Sequence, residues 1–449
     1  MSDLRSKLSR TAEDFEPSTD WLDAVLRRAH RRRRNRRVGA GLVSLAVFGA
    51  AFAGVWIGFS GGSSQPAAAP CTPEVIDVSG PALPSDASMT AAAAVSPDDA
   101  WAVGPADRGE VPVGGRVVVW HWNGESWEVV PSPSPETGPQ ATDTLVAVAA
   151  LGPGDAWAVG EADPQQGLPR TEAARVIVEH WDGTAWSVVD APSPSSFESG
   201  LTGVAAIAAD DVWAVGFEVE GTIAKPLAEH WDGRRWSIAE TPEVTRGDGN
   251  GAVLEAVTAL AADDAWAVGS TAANPLIEHW DGSSWSVVEA PGLPAGTADG
   301  LLRAVAASGP DEVWAVGWAS SRLLGHGLPL AFHWDGSSWQ DVSPVSAGDG
   351  VDTLAGVAIG SSGEVWAVGG HREASPMGGF WTALVEHWTG SAWEVVPTPA
   401  GSGRSELLYG AAAVPGDGVW LFGRSGGTFD NEGTLLGAEP LVLRGSCAR

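Results

Sequence analysis

Cysteine and tyrosine are almost missing from this chain: two cysteines and one tyrosine, Tyr409, occur in 449 residues. Two cysteines can close at most one bridge, and no CxxC pair is present. HExxH, a P-loop and a Ser-His-Asp arrangement are absent as well, so the usual sequence signatures of zinc, nucleotide and triad chemistry do not apply. Positive charge is scarce after residue 37, where 15 Lys/Arg stand against 50 Asp/Glu. An exterior of that charge argues against nucleic acid and other polyanions and suits neutral, cationic or metal-rich partners. Long apolar runs are also lacking, with one exception. Val38–Phe59 is a stretch of 22 residues without formal charge. As a helix it would span roughly 33 Å, enough to cross a bilayer.

Residues 1–37 reverse the charge balance, with 11 Lys/Arg against 6 Asp/Glu, and Arg27–Arg37 abuts the apolar run. The positive-inside rule puts this head in the cytoplasm and everything after Ser60 outside. A cleaved signal peptide is the competing reading. The apolar run and its charged leader are too long for one, and Pro70 disfavours cleavage after Ala67–Ala69. The expected organisation is a basic cytoplasmic head over 1–37, a transmembrane signal-anchor over 38–59, a linker over 60–70 and an extracytoplasmic domain over 71–449. Within the head, Trp21, Leu22, Val25 and Leu26 form a short apolar stripe behind an N-cap at Ser18-Thr19-Asp20. The head sets topology and attracts anionic lipid; it is also the place for a cytoplasmic regulatory partner.

What the chain has in abundance is tryptophan, 24 of its 35 aromatic residues. Trp101, Trp157, Trp213, Trp266, Trp314, Trp366 and Trp420 sit in near-copies of Asp-x-Trp-Ala-Val-Gly, 48 to 56 residues apart. Between them, His-Trp-Asp-Gly-x-x-Trp recurs six times. A period of about 50 with strand-like patterning predicts an all-β fold, a seven-bladed β-propeller of four-stranded antiparallel blades. In the third repeat the expected strands are 201–207, 211–216, 226–231 and 235–240, with Asp-Gly as the hairpin signal before the last. The nineteen motif tryptophans are expected to pack between blades.

The seventh repeat ends after its third strand. TPEVIDV, Thr72–Val78, matches the missing fourth strand, so the N-terminal segment is expected to complete the last blade. That register brings Cys71 and Cys447 together across a hairpin with no covalent connection, and predicts a disulfide clasp.

Six histidines, His121, His180, His230, His279, His333 and His387, precede a motif Trp. Lying in six different blades, they cannot share a metal. Each has an acid two residues before the preceding second-strand Trp: Asp99, Asp155, Asp211, Asp264, Glu312 and Glu364. In the seventh repeat His and acid are lost together, with Val442 and Gly418 in their places. The co-occurrence predicts a structural hydrogen bond inside each blade. No catalytic, cofactor-binding or metal-ligating set is assigned.

VWAVG followed by HWDGxxW resembles the kelch/galactose-oxidase-like propellers of bacteria, over roughly residues 71–447. The His–acid pairing is similar in logic to WD-repeat propellers. The resemblance implies the propeller fold; it does not imply galactose oxidase activity, which needs a copper-bound, Cys-crosslinked Tyr. Here the single Tyr sits in an inner strand and both cysteines are assigned to the clasp. DGSSW is only loosely similar to the Asp-box of sialidase-type propellers, and no arginine triad accompanies it. The N-terminal head is similar to short cytoplasmic heads of membrane proteins associated with sigma factors, without their zinc-binding His/Cys pattern.

In a propeller, the first-to-second and third-to-fourth turns share one face; the other connections share the opposite face. Here the first class is short and uniform, and the second varies in length and content. Variation on one face marks the expected binding face. By position, its contact residues are Arg108, Arg170, Arg246, Asp248, Arg322, His326, His371 and Arg372. Arg246-Gly247-Asp248 and Asp248-Gly249-Asn250-Gly251 carry no cell-adhesion or calcium signal of their own. The expected function is binding of a protein, glycan or other small ligand outside the cell, with a sensor link to a cytoplasmic partner through the head. The alternative is an envelope enzyme acting on glycans at the mouth of the ring.

Overall fold

The protein was analysed as a computed structural model that describes residues 72–77, 87–105, 117–133, 135, 142–163, 173–194, 198–244, 251–321, 327–346, 350–373, 379–399, 405–416, 418–429 and 435–448. The head, the apolar run and Cys71 lie outside these residues. Among the described residues no helix is long and apolar enough to cross a membrane.

Seven four-stranded sheets form the blades. Blades 1 to 6 are continuous in sequence, at 91–130, 142–188, 198–239, 252–287, 297–341 and 350–395. The first strand of each blade touches the first strands of both neighbours, which closes the ring with these strands innermost. Blade 7 is assembled from both ends of the domain: Glu406–Val414, Gly418–Phe429 and Leu435–Ala448 are joined by Thr72–Asp77 as the outer strand. The sheet edge that the truncated seventh repeat would leave is thereby paired.

Blade 3 illustrates why the repeated phrase builds a strand. Its strands are Glu198–Ala208, Asp211–Glu220, Ile223–Trp231 and Trp236–Ala239. In Val-Trp-Ala-Val, Trp213 and Val215 pack with blade 4, while Val212 and Ala214 pack with blade 2. Both faces are buried, so the phrase is a continuous apolar run rather than an alternating one. The terminal glycine is fixed by close approach. A β-carbon on Gly216 would lie 2.0 Å from Gly200 O, and at the equivalent Gly104, Gly160, Gly269, Gly317, Gly369 and Gly423 the clash is 1.8–2.1 Å. A β-bulge follows in the inner strand, between Leu201 and Gly203 in blade 3, and presses the two backbones together.

The motif tryptophans do pack between blades. Trp213 lies 4.8 Å from Trp280 and 5.2 Å from Trp285, ring centre to ring centre, the latter at 90°. The same trio recurs as Trp157 with Trp231 and Trp236, and as Trp266 with Trp334 and Trp339. Edge-on contacts of this kind add to the area that each ring buries.

Strand lengths differ from the sequence expectation. In blade 3 the first strand begins earlier and the second continues to Glu220, pairing with Ile223. Gly221, at φ 67°, closes a tight hairpin where the apolar pattern alone ended the strand. Polar residues such as Glu218 and Lys225 remain in the ladder because backbone hydrogen bonds, not side-chain burial, hold its end.

Candidate functional site

The two ends of each blade are built differently. At the short-turn end one set of contacts repeats. His121 Nε2 lies 2.8 Å from Asp99 Oδ1, His180 2.9 Å from Asp155, His230 2.7 Å from Asp211 and His279 2.9 Å from Asp264. Each imidazole also lies against its own blade's motif Trp, at 4.2–4.5 Å between ring centres. In blade 5 the acid is Glu312, one methylene longer. Its Oε2 is 3.2 Å from His333 Nε2, and its Oε1 accepts the Trp314 indole N–H at 2.6 Å. Blade 6 departs from the pattern: Glu364 accepts from Ser362, and His387 is tilted 59° to Trp366. Burial lowers the His387 pKa, against the charges of Glu364 and Glu394.

The turns at this end repeat too. Asp182, Asp232, Asp281 and Asp335 each accept backbone N–H groups two and three residues on. Hydrogen bonds from the Thr or Ser two residues on, with backbone N–H bonds, hold Asp182, Asp281 and Asp335 at a pKa of about 2. The following glycine takes positive φ, and a β-carbon on Gly233 would lie 2.6 Å from Asp210 Cβ. Indole N–H groups of Trp122, Trp181, Trp231, Trp280 and Trp334 donate to the neighbouring turn's carbonyl at 2.9–3.1 Å. These side chains already have partners and a mechanical role.

A second repeated feature lies inside the ring. Glu179, Glu229, Glu278 and Glu386, each just before the motif His, are at most 1 % exposed. Ser132 of the preceding blade donates to Glu179, which places this carboxyl in the interface. Neither oxygen of Glu229 or Glu278 has a hydrogen-bond partner among the described residues. Burial raises Glu229 and Glu278 to about 8. It raises Glu179 to about 7 against the Ser132 hydrogen bond, with the Asp143 charge adding to the rise. Glu386 goes to about 8 through burial first and the Asp352 charge second. The four are buried core groups whose neutral form is favoured, not exposed acids.

At the variable end the repeat breaks down, most of all around blade 6. His371 Nδ1 donates to Asp352 Oδ1 at 2.5 Å; Asp352 is 0 % exposed, and Ser346 donates to its other oxygen. The two residues face each other across the first two strands of the blade, Gly350–Ile359 and Val365–Glu373. Next to them, Arg372 Cζ stands 5.0 Å over the Trp381 ring, a cation–π contact. Phe380 is 73 % exposed. In blade 7, Arg424 donates from Nε to Tyr409 Oη at 2.6 Å and from Nη1 to Gly426 O at 2.9 Å. Burial raises the Tyr409 pKa against the nearby guanidinium. On the inner strands, Arg303 reaches Glu255 at 3.4 Å.

Of the eight residues expected on the binding face by position, only His371 and Arg372 fall within the described residues. Arg108, Arg170, Arg246, Asp248, Arg322 and His326 lie outside them. His371 and Arg372 are strand residues rather than loop residues, because the second strand of blade 6 stays paired as far as Glu373. Asp352, Trp318, Phe380 and Trp381 were not singled out from sequence. A signal for two of them existed: beyond residue 60 only Trp120, Trp318 and Trp381 stand outside the repeated phrases. Trp120 is fully buried, whereas Trp318 and Trp381 are half-buried. Among the described residues no group of three or more His, Cys, Asp or Glu is placed to hold a metal ion.

No family model matches the chain, and no curated protein matches it. Solved structures do. A polysaccharide lyase described as a PL25 ulvan lyase is similar at 9 % identity and a TM-score of 0.50, over 81 % of this chain and 95 % of its own. The structure of U3-55K is similar at 11 % identity and a TM-score of 0.49, over 82 % and 98 %. YCF48 bound to a D1 peptide is similar at 13 % identity and a TM-score of 0.33, over 85 % and 99 %. At these identities the likeness concerns the fold.

Proposed function

We propose that the chain is a membrane-anchored extracytoplasmic propeller that binds a ligand through its variable end. Residues 38–59 are the membrane span, and residues 1–37 are the cytoplasmic head, able to couple to a regulatory partner. A Cys71–Cys447 disulfide locks the outer strand of blade 7 in place. The kelch-like kinship belongs to the same reading.

One observation carries the binding assignment. Side chains that break the repeat, Trp318, His371, Arg372, Phe380 and Trp381, gather at the variable end of blades 5 and 6, where His371 Nε2 has no partner among the described residues. The opposite end spends its polar groups on repeated structural contacts. Rigid strands supporting a non-repeating rim are the usual arrangement of a binding surface on a repetitive scaffold.

Full-length protein captured from native membranes tests the reading, beside a version whose residues 1–37 are replaced by an unrelated basic topogenic sequence. Retention in the membrane fraction is expected for both, and loss from that fraction would remove the anchor. A cytoplasmic partner captured only with the native head would establish coupling. Envelope ligands retained equally by both versions would assign binding to the propeller alone.

The second reading, an envelope enzyme acting on glycans, draws on His371. Its imidazole is backed by a buried carboxyl, as general bases often are. Release of reducing ends from cell-wall polysaccharide by the purified exterior domain, abolished in His371→Gln, would favour it over simple binding.

A further inference from the structure

We infer that the interface between blades 5 and 6 at the variable end carries a saccharide subsite for an uncharged, hydroxyl-rich ring. His371 Nε2 is its hydrogen-bonding group, and Trp318 and Phe380 are its stacking surfaces. The inference rests on the binding reading above and names the ligand class and the residues.

The histidine comes first. In blades 1 to 4 the repeat histidine uses Nε2 on an acid of its own blade and lies against a motif Trp. His371 is arranged the other way round. Its Nδ1 is held by the buried Asp352, and its Nε2 has no protein partner among the described residues; the side chain is 18 % exposed. A carboxyl on Nδ1 orients the ring and leaves Nε2 for a ligand. Asp352 is itself held by Ser346, six residues earlier in the connection between blades 5 and 6. Gly350 leaves room for the ring: a β-carbon there would come within 3.1 Å of His371 Cε1.

The aromatic surfaces come next. His371 pairs with Thr382, and Phe380 lies two residues before Thr382. Phe380 stands immediately before that strand, Trp381–Trp388, so it borders the His371 end of the ladder. Its 73 % exposure leaves a ring face open to solvent. Trp318 comes from blade 5. A β-carbon on Gly327 would lie 3.3 Å from Asp352 O and 3.9 Å from Trp318 Cε3, so the bare glycine brings Trp318 up to the strand that carries Asp352. Trp318 shares the strand face of Trp314 and Val316, which pack toward blade 6. Two aromatic surfaces and a fixed imidazole at one blade interface match a pyranose, which offers apolar ring faces and hydroxyl edges. Small-ligand sites have this composition, apolar walls with a few placed polar groups.

Charge decides between uncharged and acidic sugars. Beyond residue 37 the chain carries 15 Lys/Arg against 50 Asp/Glu, and Glu373 on the same strand is exposed. Arg372 is directed to Trp381 on the other face of the blade. Among the described residues of this face no cation offsets that charge, so a polyanion would meet repulsion here.

Isothermal titration of the purified exterior domain with chitotetraose, cellotetraose, mannotetraose and polygalacturonate tests the inference. At least one neutral tetrasaccharide is expected to bind, and polygalacturonate is expected not to. His371→Gln and Phe380→Ala should each weaken that binding at least tenfold, while Arg234→Ala on the short-turn end leaves it unchanged. Asp352→Asn should weaken it and also shift the His371 ring-nitrogen NMR signals away from the Nδ1–H tautomer. A merely structural role for Asp352 would not produce that spectral change. Polygalacturonate binding in preference to the neutral sugars, no binding of any of the four, or neutral binding indifferent to His371→Gln and Phe380→Ala would each overturn the inference. The wider binding reading fails separately, if membrane capture through the propeller yields no ligand of any class.

Discussion

The two ends of this propeller are made from the same strands and obey different rules. At the short-turn end a side chain at a given repeat position does the same work in blade after blade: His on acid, Asp on turn N–H, indole on carbonyl. At the variable end equivalent positions diverge: Ala162 and His371 face the corresponding residues Asp143 and Asp352. The difference teaches that repetition here is a record of mechanical duty. A polar group repeated around the ring is committed to the ring, and a ligand site is to be sought among those that are not.

The largest effect that can sharpen this comparison is alkaline loosening of the repeated body. Glu179, Glu229, Glu278 and Glu386 have folded pKa values raised from 4.5 to about 7 or 8. Below pH 4.5 both folded and unfolded forms are protonated, and the contribution to stability is complete. Above it the unfolded chain ionises first, so stability falls by up to about 1.4 kcal/mol per pH unit per carboxyl until the folded pKa is passed. Denaturant melts between pH 5 and 9 should show a steep loss, flattened in Glu229→Gln. A profile rising with pH would contradict the protonated-core assignment.

Next in size is removal of an interface ring. Trp213→Ala should cost about 3–5 kcal/mol, read as a lower denaturant midpoint, because the cavity opens between two blades. The half-buried Trp318→Ala should cost less than half as much. Equal losses would erase the distinction between core and rim. The clasp follows: reduction, or Cys447→Ser, is expected to cost about 2–4 kcal/mol, and intact-mass analysis of unreduced protein should be 2 Da below the dithiol mass. Two free thiols would leave the ring closed by hydrogen bonds alone. Asp211→Ala, which strips His230 of its partner, should cost about 1–2 kcal/mol. The smallest effect is at the rim, where Phe380→Ala should leave the melt within about 0.5 kcal/mol of the parent. A large loss there would make Phe380 a structural residue.

Much of this was legible in the chain. The spacing of Trp101 through Trp420 specified seven blades, and the truncated last repeat with Thr72–Val78 specified how the ring closes. The His–acid partners of blades 1 to 5 were readable because both disappear together in the seventh repeat. Strand ends were not, since Glu218, Lys225, His371 and Arg372 are held in the ladder by backbone pairing that apolar periodicity does not report. Nor were the buried glutamates: Glu179 and its equivalents read as ordinary charges beside a histidine, and only their position on the interface side of the third strand reveals them as neutral core groups.

The sequence by itself determined the architecture, because each blade is a local unit whose strands are neighbours along the chain. The repeated Trp, Gly and His positions specify the same contacts each time they recur. Tertiary structure alone decided which side chains meet from different blades. Trp213 and Trp285, or Trp318 and the strand of Asp352, come together only when two blades pack, the second pair across the bare Gly327.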